Sequence, residues 1–232
     1  MTLLEAAKIR ISRRAYIPEL ISTEKKSSLQ KIIDGLCQRS GLKIVLMENG
    51  EDCFGLVKSY GMFSGVKSYF ALAGKSDDEK LFEKVGYYGE ELILEATRLG
   101  LGTCWVAGSY DKASTDIGLS DSESLVCVIS VGEIKAEENL KEKFLSGVIK
   151  TKRKKPEELC RNYDSSPDWF KSGMECVANA PSARNKQPVV FELTPDGVAT
   201  NLLGSFSVNK IDLGIAEYHF ELGSGKKITL FN

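Results

Sequence analysis

The chain has 232 residues, 42% of them apolar and 27% charged, with a formal net charge of -1. That composition is ordinary for a globular protein, and the balanced charge argues against general binding to nucleic acid or to an anionic membrane. No apolar run approaches the roughly 18 residues needed to span a bilayer, and Glu5, Lys8 and Arg10 charge the N-terminal segment early, unlike a secretory leader, so a cytoplasmic protein with a small-molecule partner is expected.

In chain order, Thr23 to Gln38 spaces Leu29, Ile32, Ile33 and Leu36 along one helical stripe that Gly41 ends. Leu42 to Met47 and Ser68 to Ala73 predict buried strands. Glu79 to Leu99 predicts a helix with Leu92, Ile93, Ala96 and Leu99 on a shared face, stopped by Gly100 and Gly102. Leu125 to Val131 is a continuous apolar run between Ser124 and Gly132, the pattern of a central strand covered on both faces. Ser166 and Pro167 fit an N-cap and first helical position, Asp168 sits favourably beside the positive end of the dipole, and that helix runs to about Val177. Pro188 to Leu193 predicts a strand and Ile211 to Leu222 a helix ended by Gly223.

The basic run Lys150-Thr151-Lys152-Arg153-Lys154-Lys155-Pro156 marks a compositional shift, dividing the chain into residues 1–150 and 151–232. Both parts follow a helix, strand, helix order and end a helix in Leu-Gly, at Leu99-Gly100 and Leu222-Gly223, so duplication and coincidence both remain open. Cys37, Cys53, Cys104, Cys127, Cys160 and Cys176 stand singly without a C-x-x-C pair, which predicts reduced core thiols and no metal site. The single histidine, His219, lacks a supporting triad motif and is expected to pack or make one hydrogen bond. No G-x-x-x-x-G-K-[ST] loop and no G-x-G-x-x-G fingerprint occurs, which removes most support for ATP chemistry or a Rossmann-bound dinucleotide.

Two segments remain that place small, backbone-permissive residues where the chain leaves a helix: Leu99-Gly100-Leu101-Gly102-Thr103-Cys104-Trp105 and Ala180-Pro181-Ser182-Ala183-Arg184-Asn185-Lys186-Gln187-Pro188. With Arg10-Ile11-Ser12-Arg13-Arg14 as an R-x-S-x-[RK] opening, the A-P-S-x-x-N-x-Q-P loop, and Gly86-Tyr87-Tyr88-Gly89-Glu90 leading to G-L-G-T-x-W, the chain resembles the nitroreductase family of flavin mononucleotide (FMN) enzymes. Lys152 to Pro156 is similar to a basic K-x-[RK]-x-P of that family. The resemblance implies an α+β fold, a central and mostly antiparallel sheet flanked by helices. It also implies FMN as cofactor, NAD(P)H as electron donor and a small electron-poor acceptor such as a quinone or nitroaromatic. One departure stands out: in ordinary members the A-P-S-x-x-N loop precedes G-L-G-T and comes from the opposite subunit of a homodimer, whereas here it follows. The resemblance therefore suggests two half-domains fused as a pseudo-dimer, with one flavin bound between the halves and a monomer expected.

On that resemblance Arg10, Ser12, Lys152 and Lys154 are assigned to the FMN phosphate, where charge-assisted hydrogen bonds contribute about 1.5 to 3 kcal/mol each. Arg14 is assigned to the N1/O2 edge of the ring, where a fixed cation favours the reduced anion. Gly102 and Thr103 are expected beside the ring, and Pro181, Ser182 and Asn185 along its edge or the ribityl chain. No side chain is assigned a catalytic role, since the cofactor carries the bond changes. Plainer readings stand beside these: Arg10, Arg13 and Arg14 as a solvated helix face, Lys152 to Lys155 as an exposed linker or nucleic-acid patch, Gly100 and Gly102 as a helix C-cap, and Cys104 as a packing residue. Tyr60, Phe63 and Tyr69 are candidates for an acceptor pocket or for the core. A flavin-binding relative without turnover, acting as carrier or sensor, is the alternative function.

Overall fold

The computed structural model describes residues 1–55, 57, 59–135, 137, 142, 143, 147 and 152–228. The division expected between residues 150 and 151 lies outside these. The described residues form two compact units, each assembled from separate stretches of chain: one from Met1–Ile9, Phe82–Glu91 and Val148–Asn232, the other from Arg10–Leu81 and Leu92–Gly147.

The second of these units is built on a four-stranded sheet in the order β1-β2-β4-β3, with β1 Lys43–Met47, β2 Ser68–Lys75, β3 Gly102–Val106 and β4 Glu123–Gly132, and every pair antiparallel. β4 is interior, and Cys127 to Gly132 are buried consecutively, so both faces are covered as the unbroken apolar run predicts. Helix α1 (Leu3–Ile9) opens the chain and belongs to the first unit; in the second, α2 (Thr23–Ser40) packs beside β1, buries Leu29, Ile33 and Leu36 and ends at Gly41. A short helix α3 (Gly50–Cys53) follows β1. Tyr16, Phe54, Phe63, Tyr69 and Val128 share one apolar cluster, with the Phe54 and Phe63 ring centroids 5.1 Å apart.

Helix α4 (Leu81–Arg98) contributes residues 82–91 to the first unit and Leu81 and 92–98 to the second. In the first unit it joins α5 (Asp168–Val177), the hairpin β5 (Val189–Thr194) and β6 (Gly197–Leu202), and α6 (Ser207–Ser224). Phe170, Met174, Phe191 and Phe220 form the core there, the last two stacked at 5.2 Å. Helix α6 is buried almost all round, from Ile211 to Glu221 except Leu213, although it carries Asp212, Glu217, His219 and Glu221. Burial on that scale requires a partner for each polar group.

Three expectations are corrected. Helix α5 begins at Asp168 with Pro167 as its cap, because the Ser166 hydroxyl donates to the Asn162 carbonyl at 2.9 Å instead of accepting from the first turn. Gly223 does not end a helix: α6 continues to Ser224 and ends at Gly225, and a Cβ on Gly223 would stand 2.6 Å from Cys176 Cβ and 2.6 Å from the Ser172 carbonyl. The Leu-Gly pairs therefore differ, Gly100 terminating a turn at φ 77° and Gly223 admitting α5 against α6. Strand β6 went unread; its signal is the turn Thr194-Pro195-Asp196-Gly197 ahead of Val198 to Leu202.

Candidate functional site

Residues Arg10 to Tyr16 leave α1 and run extended. Ser12 bridges Thr103 in parallel, and the Arg13 N–H donates to the Thr103 carbonyl at 2.9 Å, which joins the Arg-x-Ser-x-Arg opening to Gly-Leu-Gly-Thr. On the other flank Ala15 bridges Ser64, the Tyr16 N–H donates to the Ser64 carbonyl at 3.0 Å, and the Ser64 N–H donates to the Arg14 carbonyl at 3.0 Å. The solvated-helix reading of these arginines fails, since the segment is not helical and Arg10 and Arg13 are 6% and 5% exposed.

The geometry separates the arginines by role. Arg13 is structural: its Nη1 and Nη2 each donate to the Lys135 carbonyl at 3.2 Å, and its Nε meets Glu142 Oε1 at 3.3 Å. The same Glu142 oxygen accepts from the main-chain N–H of Arg14 at 2.7 Å and of Ala15 at 2.9 Å. Sequence reading missed Glu142, because nothing local links positions more than a hundred residues apart. Gly102 is explained by this same path, for a Cβ there would run into the Ile134 side chain and stand 3.0 Å from Arg13 Cβ. Gly100 alone ends α4; Gly102 is already the first residue of β3, which corrects its reading as a helix stop.

Arg10, Ser12 and Arg14 are left as the donors assigned to a ligand, Ser12 and Arg14 half-buried. Thr103 is 1% exposed, and its hydroxyl has no hydrogen-bond partner among the described residues. Burial pushes the Cys104 thiol up against the pull of Arg14 and Arg10, which keeps it protonated and unreactive, a packing residue. Of the acceptor-pocket candidates, Phe63 lines a cleft of about 170 Å³ with Phe54, Ser64 and Gly65, Tyr69 is wholly buried in the core, and Tyr60 is 80% exposed, in neither core nor cleft.

The first unit holds the other motifs. The Ala180–Pro188 loop contains three consecutive-to-near residues in the left-handed region, Arg184 at φ 54°, Asn185 at φ 55° and Gln187 at φ 44°. Side chains brace it: Ser182 Oγ accepts from the Gln187 N–H at 2.9 Å, and both Asp212 oxygens accept from the Ala183 N–H at 2.9 and 3.1 Å. The basic run is tied to the same loop, since Lys154 donates through its N–H to Gln187 Oε1 at 2.8 Å and through Nζ to the Gln187 carbonyl at 2.9 Å, while Arg153 reaches Asn179 Oδ1 at 3.3 Å. Lys154 is thus no free linker residue; Lys152 is exposed, and Lys150 and Thr151 lie outside the described residues. Pro181, Ser182 and Asn185 are half-buried, and Pro181 and Ser182 border a partly open space of about 10 Å³, which admits one water at most.

The Gly86-Tyr87-Tyr88-Gly89-Glu90 block serves α6. Tyr87 donates to Glu221 Oε2 at 2.5 Å, Lys227 Nζ meets the same oxygen at 2.7 Å, and the Ile211 carbonyl packs against Gly86 where a side chain would stand. Glu90 and His219, both wholly buried, meet at 2.9 Å, and His219 Nδ1 lies 3.2 Å from the Cys176 carbonyl. Burial by itself opposes a charge on His219, but the contacts with Cys176 and Glu90 outweigh it and push its pKa up to about 9. The imidazole therefore packs, as expected, yet makes more than one polar contact.

The family described as "Putative TM nitroreductase" matches residues 2–224. The chain belongs to that family. A crystal structure of a "putative nitroreductase" from Thermotoga maritima is 20% identical and superposes with a TM-score of 0.65 over 96% of this chain and 83% of that one, which shows the nitroreductase-like fold. A nitroreductase family protein from Clostridium novyi is 20% identical with a TM-score of 0.47, covering 59% of this chain and 87% of its own. An FMN-dependent nitroreductase from Clostridium difficile is 18% identical with a TM-score of 0.46, covering 58% of this chain and 88% of its own. No curated protein matches the chain. Among the described residues of this family member, no group of His, Cys, Asp and Glu could hold a metal ion, and no helix is long and apolar enough to cross a membrane.

The donor chemistry fits a phosphate-bearing flavin. Two arginines and a serine lie within five residues of one another on a segment fixed from both flanks, and the hydroxyl of Thr103 on the adjoining strand has no hydrogen-bond partner among the described residues. A preorganised cationic segment of this kind suits a bound dianion.

Proposed function

We propose that this nitroreductase-family chain is an FMN-dependent oxidoreductase that takes electrons from NAD(P)H and passes them to a small electron-poor acceptor, a quinone or nitroaromatic. The observation that carries the reading is the pairing of Ser12 and Arg13 with Thr103, which brings two sequence-distant flavin motifs onto one rigid segment. Bound FMN supplies the two-electron chemistry. Arg10 and Ser12 bind its phosphate, Arg14 sets the charge at the ring's N1/O2 edge, and the Gly102-Thr103 main chain lies beside the ring. Lys152, Lys154, Pro181, Ser182 and Asn185, all of the first unit, are assigned to flavin binding by the same resemblance. The resemblance of the motifs and the name of the C. difficile structure support the cofactor.

The test is the visible spectrum of the purified full chain, with and without added FMN, followed anaerobically as NADH or NADPH is added. A yellow protein that bleaches supports the oxidoreductase; a yellow protein that never bleaches leaves a carrier or sensor; a protein that takes up no FMN overturns the reading. Arg14→Ala is expected to lower the flavin potential, and an unchanged potential removes the role given to Arg14.

A further inference from the structure

One buried acid stands apart from the groups assigned above. Asp212, 4% exposed near the start of α6, spends both oxygens on a single peptide N–H, that of Ala183, at 2.9 and 3.1 Å. That N–H lies at the entrance to the left-handed bend of Arg184, Asn185 and Gln187. Conformations of this type in non-glycine residues are costly and persist only where surrounding contacts over-determine them. The loop's own contacts supply part of that: Asn185 N–H to the Ser182 carbonyl at 3.0 Å and Gln187 N–H to Ser182 Oγ at 2.9 Å. Neither fixes Ala183, which among the described residues Asp212 alone grips by a side chain.

We propose that Asp212 is the positioning residue of the Ala180–Pro188 loop, its carboxylate holding the Ala183 N–H so that the Pro181, Ser182 and Asn185 edge keeps the shape flavin binding uses. The last clause rests on the flavin reading; the grip on the loop does not. The grip is also sensitive to pH. Burial pushes the Asp212 carboxyl up to about 7, and the Ala183 N–H only partly offsets it. The small pocket that Asp212 lines is otherwise bounded by residues that do not titrate, among them Leu159, Val177, Val189 of β5 and Ala216 of α6. The charged residues of the loop, Arg184 and Lys186, are exposed, and from α4 the Glu83 main-chain carbonyl approaches Gly214, two residues beyond Asp212. Protonation near neutral pH therefore weakens the acceptor at Ala183, and deprotonation restores it.

The experiment compares amide hydrogen-exchange protection in the full chain without added flavin, for wild type, Asp212→Asn and Asp212→Ala, from about pH 5 to about pH 9, bracketing the value near 7. In the wild type, protection at Ala183 and Gln187, taken relative to the amides of α5, which follow overall stability, is expected to rise through neutral pH. Asp212→Ala should lose about tenfold or more of that protection while the amides of α5 hold theirs. Asp212→Asn, whose side-chain carbonyl still accepts, should keep most of it and lose the pH dependence. FMN affinity, read by quenching of flavin fluorescence, should weaken in the order wild type, Asn, Ala. Loop protection in Asp212→Ala equal to that of wild type overturns the proposal, as does an Asn variant that retains the neutral-pH rise. If wild type binds no FMN, the flavin reading falls, and the exchange measurement still decides the grip.

Discussion

Two buried carboxylates hold two candidate ligand segments by their peptide N–H groups, and they do so under opposite electrostatic conditions. Glu142 grips Arg14 and Ala15 and faces the Arg13 guanidinium at 3.3 Å, so its charge is compensated where it lies. Asp212 grips Ala183 with no cation against it among the described residues, and burial raises its carboxyl to about 7. A carboxylate paired with a guanidinium is a permanent clamp, whereas one paired only with a peptide dipole is a clamp whose strength depends on pH. The difference teaches that the same local job, fixing a loop by its N–H groups, is either structural or adjustable according to a single neighbouring charge.

The comparison breaks most readily at Glu142. Glu142→Ala strands a buried guanidinium and frees two main-chain donors, and a loss of about 3 to 5 kcal/mol is expected by chemical denaturation. A loss under 1 kcal/mol, of the order of a single hydrogen bond, would mean that the Lys135 carbonyl suffices for Arg13 and that the clamp is not permanent.

Glu90 sharpens the comparison, because its partner is itself titratable. The raised His219 contributes stability that is complete below its unfolded value of 6.5 and is lost as pH rises through about 9. Glu90→Gln should therefore cost roughly 1 to 3 kcal/mol below pH 6.5, and the cost should fade above about 9. A cost independent of pH would show that His219 is neutral throughout.

Asp212→Asn is expected to have the opposite sign. The acid's value is raised from 3.8 to about 7 by burial, so the folded chain holds the proton more tightly than the unfolded one, and wild-type stability falls as pH rises across that window. Removing the charge should stabilise the protein by roughly 1 to 3 kcal/mol above pH 7 and by nothing measurable below about 4, read from denaturation midpoints in parallel pH series. A carboxylate that lowers stability when ionised, yet holds a loop assigned to a ligand, is the pattern of a group kept for function. Smallest of all, Ser182→Ala removes one acceptor from the loop and should cost about 1 kcal/mol, with Gln187 exchange protection falling in step.

Much of the fold was legible because burial leaves a periodic trace. The β4 run from Leu125 to Val131 and the α2 stripe of Leu29, Ile33 and Leu36 are one-dimensional records of being covered on two faces or on one. Helix α6 was less legible for the same reason: a helix buried all round has no stripe, and Gly223, which reads as a stop, is the point of closest approach to α5. The site divided along similar lines. Arg10 to Arg14, Gly-Leu-Gly-Thr and Ala-Pro-Ser-x-x-Asn could be read as words. Glu142 and Asp212 could not, since an isolated acid in a sequence carries no mark of the distant peptide it will hold.

The amino-acid sequence by itself determined the family, through the wording of its motifs, and the positions of the main strands and motif loops, through local preference and runs of apolar residues, while the antiparallel sheet came only with the resemblance. Only the tertiary structure decided which arginine is structural, why Gly102 has no side chain, and which acids are clamps. Those properties depend on the field and the steric room at a point in space, and groups more than a hundred residues apart set both.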